Sequence, residues 1–276
     1  MKQMLVPDNM RYAVMNAEEL RANFLIDSLF AADALNLCWC DLDRAIVGGA
    51  IPTRRPLELM AAPAMRCEYF LQRREAGIIN IGGAGCVDVD GQRYELAGGD
   101  GIYLGLGCRK VTFSSNSAEH PAKFYLLSYP AHGRYPTTWI RRDSIAPVDL
   151  GSPAVSNQRR LYKYIHPEGA QSCQLVMGTT KLAPGSVWNT MPPHTHLRRS
   201  EIYLYFDLPS DARVIHLMGR PDETRHLVVA DVQAVLSPAW SIHAGAGTAA
   251  YSFCWGMGGE NQSFADMDGV AVGELR

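Results

Sequence analysis

The chain has 276 residues, of which 47% are hydrophobic and 20% are charged, a composition typical of a globular protein with a sizeable core. Its net charge is −2, so no strong basic field predicts binding to nucleic acid or to an anionic membrane. No apolar run approaches the roughly 18 residues of a membrane helix, and the first residues lack the apolar segment of a signal peptide. The seven cysteines follow no metal or disulfide pattern, which predicts reduced thiols in a cytosolic protein.

Residues 1–36 are predicted to form an N-terminal helical arm. Asn16, with Glu19 three residues later, fits a capping box at the start of a helix. One apolar face then follows, formed by Leu20, Phe24, Leu25 and Leu29. We expect this face to pack on the main body of the protein or on a neighbouring subunit.

Residues 37–130 show short β-rich runs separated by turns, with Asp90-Gly91 as a strong hairpin signal. Residues 131–170 are richer in proline and arginine and are predicted to be a connector. A second β-rich set covers residues 171–276. Strands at this spacing, without helices between them, predict a sandwich or barrel. Within the first set, Arg73-Arg74-Glu75 predicts a structural ion pair at a turn or interface.

The two β-rich halves resemble each other weakly. The first half contains three β-rich runs, at residues 85–89, 94–96 and 100–104. The second half contains three runs in the same order, at residues 214–216, 225–229 and 234–236. This order predicts two copies of one β-barrel unit. The expected fold class is therefore mainly β, with two small barrels or jelly rolls and a helical arm.

His194-Thr195-His196, Glu201 and His243 offer three imidazoles and one carboxylate, a full set of protein ligands for a divalent metal. Residues two apart on a strand point to the same face, so His194 and His196 can bind one ion together. Glu201 lies five positions after His196, so on one straight strand its side chain would point to the opposite face. This spacing predicts a turn or bulge within residues 197–200. The first half has no histidine before His120, so the metal set belongs to the second barrel. These ligands suit zinc, iron, manganese or nickel.

A His-x-His-x4-Glu cluster followed by a histidine about 40 residues later, in a duplicated barrel, resembles the cupins. Further segments resemble the 5-keto-4-deoxyuronate isomerase family, whose members are also called 4-deoxy-L-threo-5-hexosulose-uronate ketol-isomerases. The most specific of these segments are Trp188-Asn189-Thr190-Met191-Pro192 and Trp255-Gly256-Met257, which generic cupins lack. The likeness extends over nearly the whole chain. Leu197 departs from the family pattern, in which an acidic residue follows the second histidine.

The resemblance implies a duplicated cupin that acts as a metal-dependent ketol-isomerase. The implied reaction interconverts 5-dehydro-4-deoxy-D-glucuronate and 3-deoxy-D-glycero-2,5-hexodiulosonate, in the breakdown of pectin and related uronides. The resemblance also implies a cytoplasmic homohexamer with one Zn²⁺ per subunit. If the ligand positions of the family are transferred to this sequence, the zinc ligands are His194, His196, Glu201 and His243.

An isomerase of this kind also needs a proton carrier and a cationic group for the substrate carboxylate. The proton-carrier candidates are Glu223, His226, Lys163 and Tyr203. The carboxylate-binding candidates are Arg159, Lys163, Arg199 and Arg225. Two other functions remain open, an Fe(II)-dependent cupin dioxygenase and a non-catalytic sugar-acid-binding cupin. His216 lies in an apolar run and is predicted to be a core or surface histidine.

Overall fold

A computed structural model describes all residues from Met1 to Arg276. The chain divides into two compact units, each discontinuous in sequence. The first unit comprises Met1–Met4, Ser28–Ala146 and Tyr164–Val176. The second unit comprises Leu5–Asp27, Pro147–Lys163 and Met177–Arg276. This division differs from the predicted chain-order boundaries, because residues 1–4 and 5–27 belong to different units. None of the helices has the length and apolar character needed to span a membrane.

The N-terminal residues form two short helices between two short strands. These elements are β1 (Lys2–Met4), α1 (Asn9–Tyr12), α2 (Ala17–Phe24) and β2 (Leu25–Ile26). The predicted capping box is confirmed, since the Asn16 side chain accepts from the Glu19 N–H at 2.9 Å and Glu19 accepts from the Asn16 N–H at 2.9 Å. The arm is nevertheless less helical than predicted, because it also contains β1 and β2, and each of these strands belongs to a β-sheet.

Residues 5–27 of the arm pack within the second unit through aromatic side chains. The Tyr12 hydroxyl donates to the Met218 carbonyl at 3.0 Å, and the Tyr12 and Trp240 rings lie 5.1 Å apart. Gly219 has φ +104 and lies against Tyr12, where a Cβ atom would meet the hydroxyl at 2.0 Å. A glycine is thus needed on this strand for the helix to approach so closely.

The first unit contains two sheets. Its later strands are β3 (Leu35–Cys40), β4 (Ile46–Ala50), β5 (Leu57–Glu58), β6 (Arg74–Asn80), β7 (Gly85–Val89), β8 (Gln92–Leu96), β9 (Gly101–Leu104), β10 (Val111–Ser115), β11 (Phe124–Pro130) and β12 (Thr138–Ile140). One sheet has the order β1-β3-β4-β11-β6-β9-β12 and the other β5-β10-β7-β8. Asp90 and Gly91 join β7 to β8 with positive φ values, as the hairpin signal predicts. The face between the sheets buries an apolar core that includes Ile78, Phe113 and Phe124.

The second unit repeats this arrangement. Its strands are β13 (Val148–Leu150), β14 (Arg159–Ile165), β15 (Val176–Leu182), β16 (Trp188–Asn189), β17 (His194–Thr195), β18 (Arg199–Phe206), β19 (Val214–Arg220), β20 (Glu223–Val229), β21 (Gln233–Ser237), β22 (Ile242–Gly247), β23 (Ser252–Gly259) and β24 (Asp268–Gly269). The sheet orders are β13-β14-β15-β23-β18-β21-β2 and β16-β22-β19-β20, with β17 paired to β24. Seven-stranded and four-stranded sheets therefore occur in both units, which confirms the predicted duplicated, mainly β fold.

The registers identify equivalent positions in the two units. Ala76 is the third residue of β6 and lies opposite Leu104, the last residue of β9. Glu201 is the third residue of β18 and lies opposite Ser237, the last residue of β21. Because β6 and β18 hold the same place in their sheets, Ala76 is the counterpart of Glu201.

Candidate metal centre

Four side chains from different parts of the second unit converge at one point. His194 begins β17, His196 follows it, and a turn at residues 197 and 198 leads into β18, which carries Glu201. His243 lies on β22 in the facing four-stranded sheet. The ligand atoms of the four residues all lie within 4.8 Å of one another, and they form a potential metal-binding cluster.

The distances show that nitrogen and oxygen atoms face one another directly. Glu201 Oε2 lies 3.0 Å from His196 Nε2 and 3.0 Å from His243 Nε2. The His194 and His243 Nε2 atoms lie 3.1 Å apart. His196, Glu201 and His243 are buried, and His194 is half-buried. The cluster is thus closed to bulk water on most sides and opens past His194.

The other ring nitrogens contact groups that orient the imidazoles. His243 Nδ1 lies 3.4 Å from the Ser241 carbonyl and 3.3 Å from Ser237 Oγ, and His196 Nδ1 lies 3.4 Å from the Arg199 carbonyl. Because a carbonyl only accepts, these contacts favour a proton on Nδ1 and a lone pair on Nε2. With the proton on Nδ1, the buried His196 Nε2 has no hydrogen to donate to the Glu201 carboxylate that it faces. Lone pairs and a carboxylate that converge in this way fit a divalent cation between them.

Burial and mutual proximity set the charges of the cluster. Burial, together with the neighbouring His243, lowers the pKa of His194 to about 3. Burial alone raises the pKa of Glu201, but His243 and His196 outweigh that effect and hold this pKa below its usual range. A neutral imidazole and an ionised carboxylate are the forms that bind a metal.

A cavity of about 230 Å³ adjoins the four residues. Arg159 on β14 lines it, makes no salt bridge, and donates from Nη1 to the Asn157 carbonyl at 2.8 Å. Burial lowers the pKa of Arg159. Tyr203 also lines the cavity, with its hydroxyl 3.1 Å from Thr190 Oγ1. Burial raises the pKa of Tyr203 well above its usual value, so the hydroxyl stays protonated.

The structure places several other predicted residues outside the cavity lining. Glu223 and His226 lie on β20 with exposed side chains, and Glu223 pairs with Arg225 at 3.2 Å. Arg225 also donates to the Ala13 carbonyl in the N-terminal arm. These residues follow one another on β20, an edge strand of the four-stranded sheet, and none of them lines the cavity beside the candidate metal cluster.

Arg199 and Lys163 have contacts of their own near the cavity. Arg199 is buried and donates to the Ser263 carbonyl at 2.7 Å and the Asp266 carbonyl at 2.8 Å, so it anchors the C-terminal segment. The Lys163 ammonium lies 4.5 Å from the centre of the Phe264 ring, and Phe264 lines the cavity. Lys163 is therefore held behind a wall of the cavity by a cation–π contact.

Some cavity residues were missed in the sequence. Phe264 and Met267 lie in the irregular C-terminal segment, and Thr190 lies in a loop with a φ angle of +52°. No periodicity or spacing marks such positions. His216 is confirmed as a core histidine, since it is buried and its Nδ1 lies 2.7 Å from the Tyr205 hydroxyl.

The two facing sheets in each unit, with a histidine and glutamate cluster in the second, define a duplicated cupin with a candidate metal centre. Residues 30–271 match the model of the KduI/IolB family, and the chain belongs to that family. It is 53% identical over 259 residues to the 4-deoxy-L-threo-5-hexosulose-uronate ketol-isomerase of Lachnoclostridium phytofermentans, covering 94% of each chain.

Solved structures share the fold at low sequence identity. An IolB-like protein from Salmonella typhimurium LT2 aligns with a TM-score of 0.75 and 13% identity, over 90% of this chain and 97% of the other. The oxalate decarboxylase of Bacillus subtilis, described with Mn(II) centres, aligns with a TM-score of 0.55 and 10% identity, over 81% and 71% of the two chains. These likenesses confirm the cupin fold.

Proposed function

We propose that this protein is a metal-dependent ketol-isomerase that interconverts 5-dehydro-4-deoxy-D-glucuronate and 3-deoxy-D-glycero-2,5-hexodiulosonate. The observation that carries the proposal is the convergence of His194, His196, Glu201 and His243 beside a cavity that also holds Arg159. The names of relatives about half identical to this chain over nearly its full length support the same reaction.

In this proposal His194, His196, Glu201 and His243 hold one Zn²⁺ per subunit. Three imidazole nitrogens and one carboxylate oxygen suit zinc, and their Nε2 and Oε2 atoms already face one another. A bound divalent ion would polarise the carbonyl and hydroxyl oxygens at the reacting carbons and stabilise developing negative charge.

Arg159 is proposed to bind the substrate carboxylate. Of the predicted carboxylate-binding residues it is the one that lines the cavity, and no aspartate or glutamate pairs with it. A guanidinium can donate two parallel hydrogen bonds to a carboxylate, which fixes the orientation of the sugar acid. The reacting carbons would then be directed toward the histidine cluster.

Tyr203 is proposed to donate a hydrogen bond or proton from its hydroxyl to a substrate oxygen. The Tyr203 ring centre lies 5.4 Å from that of His243, and its hydroxyl stays protonated because it is buried. The apolar residues Phe253 and Trp255 line the same cavity and limit the access of water to the reacting carbons.

We also propose that the protein acts in the cytoplasm as a homohexamer, in the breakdown of pectin and related uronides. All seven cysteines are free, which agrees with a reducing compartment. Light scattering on the eluted protein would measure the oligomeric mass, and a monomer at working concentrations would contradict the hexamer.

The experiment that tests the function combines turnover with metal analysis of the purified protein. We expect NMR to show conversion of 5-dehydro-4-deoxy-D-glucuronate, and elemental analysis to find one zinc per chain. Iron instead of zinc, with oxygen consumed and no isomer formed, would favour a dioxygenase. Binding of the sugar acid without turnover by the metal-loaded protein would favour a non-catalytic cupin.

A further inference from the structure

A second cavity, with a volume of about 490 Å³, lies within the first unit. Its lining combines apolar and cationic side chains and contains no aspartate or glutamate. The residues that matter here are Trp39, Arg44, Phe70, Arg73 and Arg74. A concave, largely apolar site with a few converging charged groups is the usual form of a small-molecule site.

Arg74 is the buried cation of this cavity. It begins β6 and is only 9% exposed. Its Nε donates to Ser128 Oγ at 3.0 Å, and its Nη2 donates to the carbonyls of Ser128 at 2.8 Å and Arg44 at 2.7 Å. These partners are neutral, and Nη1 takes part in none of these bonds.

The predicted ion pair within Arg73-Arg74-Glu75 is not formed. Successive residues of a strand point to opposite faces, so Glu75 lies on the other side of β6. Its carboxylate accepts from the Tyr103 hydroxyl at 2.8 Å and from the Cys173 and Leu175 N–H groups at 2.6 and 2.9 Å. The Glu75 carboxylate is thus bound elsewhere, and Arg74 makes no salt bridge.

A buried guanidinium without a carboxylate is electrostatically costly. Burial lowers the pKa of Arg74 to about 10, which still leaves the group charged at neutral pH. Buried charges in proteins are normally paired with an opposite charge. At the exposed rim, Arg73 donates to two backbone carbonyls, and Arg44 makes no side-chain hydrogen bond. The three side chains therefore create a positive cavity whose lining has no carboxylate.

Strand register relates the hydrogen-bond partner of Arg74 to a position beside the candidate metal cluster of the second unit. Ser128 and Met257 are equivalent, because they lie opposite Ala76 and Glu201, which are themselves equivalent. Met257 lines the second-unit cavity, and the Arg74 guanidinium lies on Ser128 in the first. The first unit therefore carries a buried arginine next to the counterpart of Met257, whereas the second unit carries the candidate metal ligands near that position.

We propose that this cavity binds a small organic anion, with its carboxylate or phosphate group on Arg74, Arg44 and Arg73 and its body on Trp39 and Phe70. Arginine binds both kinds of oxyanion through paired N–H groups, and the aromatic rings provide a flat apolar contact. This site contains none of the metal-binding residues, so it goes beyond the isomerase and is independent of it.

Trp39 provides a local reporter for the test. The full-length protein is titrated with D-glucuronate, D-glucose 6-phosphate and uncharged D-glucose while tryptophan fluorescence is recorded. We expect a saturable change with one of the two anions and none with glucose, and loss of that change in Trp39→Phe. The anion that saturates distinguishes a carboxylate ligand from a phosphate ligand.

Charge variants make the test specific. Arg44→Gln should weaken anion binding by about tenfold, since a hydrogen bond to a charged group is lost. Arg55→Gln, which changes an exposed arginine outside the lining, should bind as the parent does. Arg74→Met should abolish binding, with circular dichroism to check its fold. Because Arg44 is exposed, the Arg44→Gln result decides the question even where the Arg74 variant unfolds.

Two results would overturn the proposal: no saturable Trp39-dependent signal with either anion, or equal affinities for Arg44→Gln and Arg55→Gln. Repeating the titration with Glu201→Gln separates this site from the proposed isomerase. Binding should persist in that variant, whereas a signal that disappears with Glu201 would place the anion in the second unit and contradict the inference.

Discussion

Ala76 and Glu201 hold equivalent positions in the two units, and only Glu201 has a side chain that can bind a metal. In the first unit Ala76 belongs instead to an apolar core cluster that includes Ile78 and Phe124. Around Glu201 the second unit brings together three imidazoles. The duplication therefore supplied two similar barrels, and a few inward-facing residues determine their different chemistry.

Loss of one ligand should remove the metal and the activity together. In Glu201→Gln and His243→Ala we expect metal affinity and turnover each to fall by roughly 100-fold or more, because both residues offer ligand atoms that face the others. Elemental analysis and NMR turnover measure the two effects. Glu223→Gln, an exposed carboxylate on β20, serves as the control and should retain both. Full turnover by a metal-free ligand variant would contradict the mechanism.

Arg159→Gln should weaken substrate binding without loss of metal. The variant removes the cavity's guanidinium, so we expect kcat/KM to fall by about 100-fold, chiefly through KM. Arg160→Gln is the matched control, because its side chain is exposed and pairs with Asp149. Equal kinetics for the two variants would show that another group binds the carboxylate.

Tyr203→Phe should separate chemistry from metal binding. The ring remains to fill the cavity wall, while the hydroxyl that contacts Thr190 is removed. We expect one bound metal as in the parent, and a kcat lower by about 100-fold. An unchanged kcat would mean that Tyr203 only shapes the cavity.

His216 should contribute to the dependence of stability on pH. Burial lowers the pKa of His216 to about 3, from an ordinary value of 6.5. Between these values the unfolded chain binds a proton that the folded protein does not, so the free energy of unfolding falls as pH falls through this range. In His216→Gln this part of the pH dependence should be absent.

The measurement compares the Tm of metal-free protein at about pH 7.5 and about pH 5. The fall in Tm should be smaller for His216→Gln than for the parent. His226→Gln is the control, because His226 is exposed on β20, and it should follow the parent. A parallel fall in all three proteins would show that His216 does not titrate as proposed.

Several features of the fold were predictable because they depend on local sequence. Asn16 and Glu19 cap a helix with short-range hydrogen bonds, and Asp90-Gly91 can adopt the positive φ values of a tight hairpin. The repeated order of β-rich runs predicted the duplication. The ends of the N-terminal arm were mispredicted, because β1 and β2 pair with strands far away in the chain.

The contents of the cavities were less predictable. Glu223 and His226 had suitable chemistry but lie outside the lining. Phe264 lines the cavity without a signal in the sequence, and Thr190 was marked only as part of a family segment and not as a site residue. Which side chains share a cavity depends on strand register and loop paths, and these are set by contacts between distant residues.

The sequence by itself determined the fold class, the family and the four residues that converge as a potential metal cluster, because spacing along strands and specific motifs encode them. Only the tertiary structure decided which charged side chains line a cavity and which of them have a partner of opposite charge. Arg159 lines the cavity beside Glu201 in the second unit, and Arg74 lines a cavity of the first unit without a carboxylate partner. The physical reason is that burial and the alternation of strand faces separate neighbours such as Arg74 and Glu75, which the sequence alone had paired.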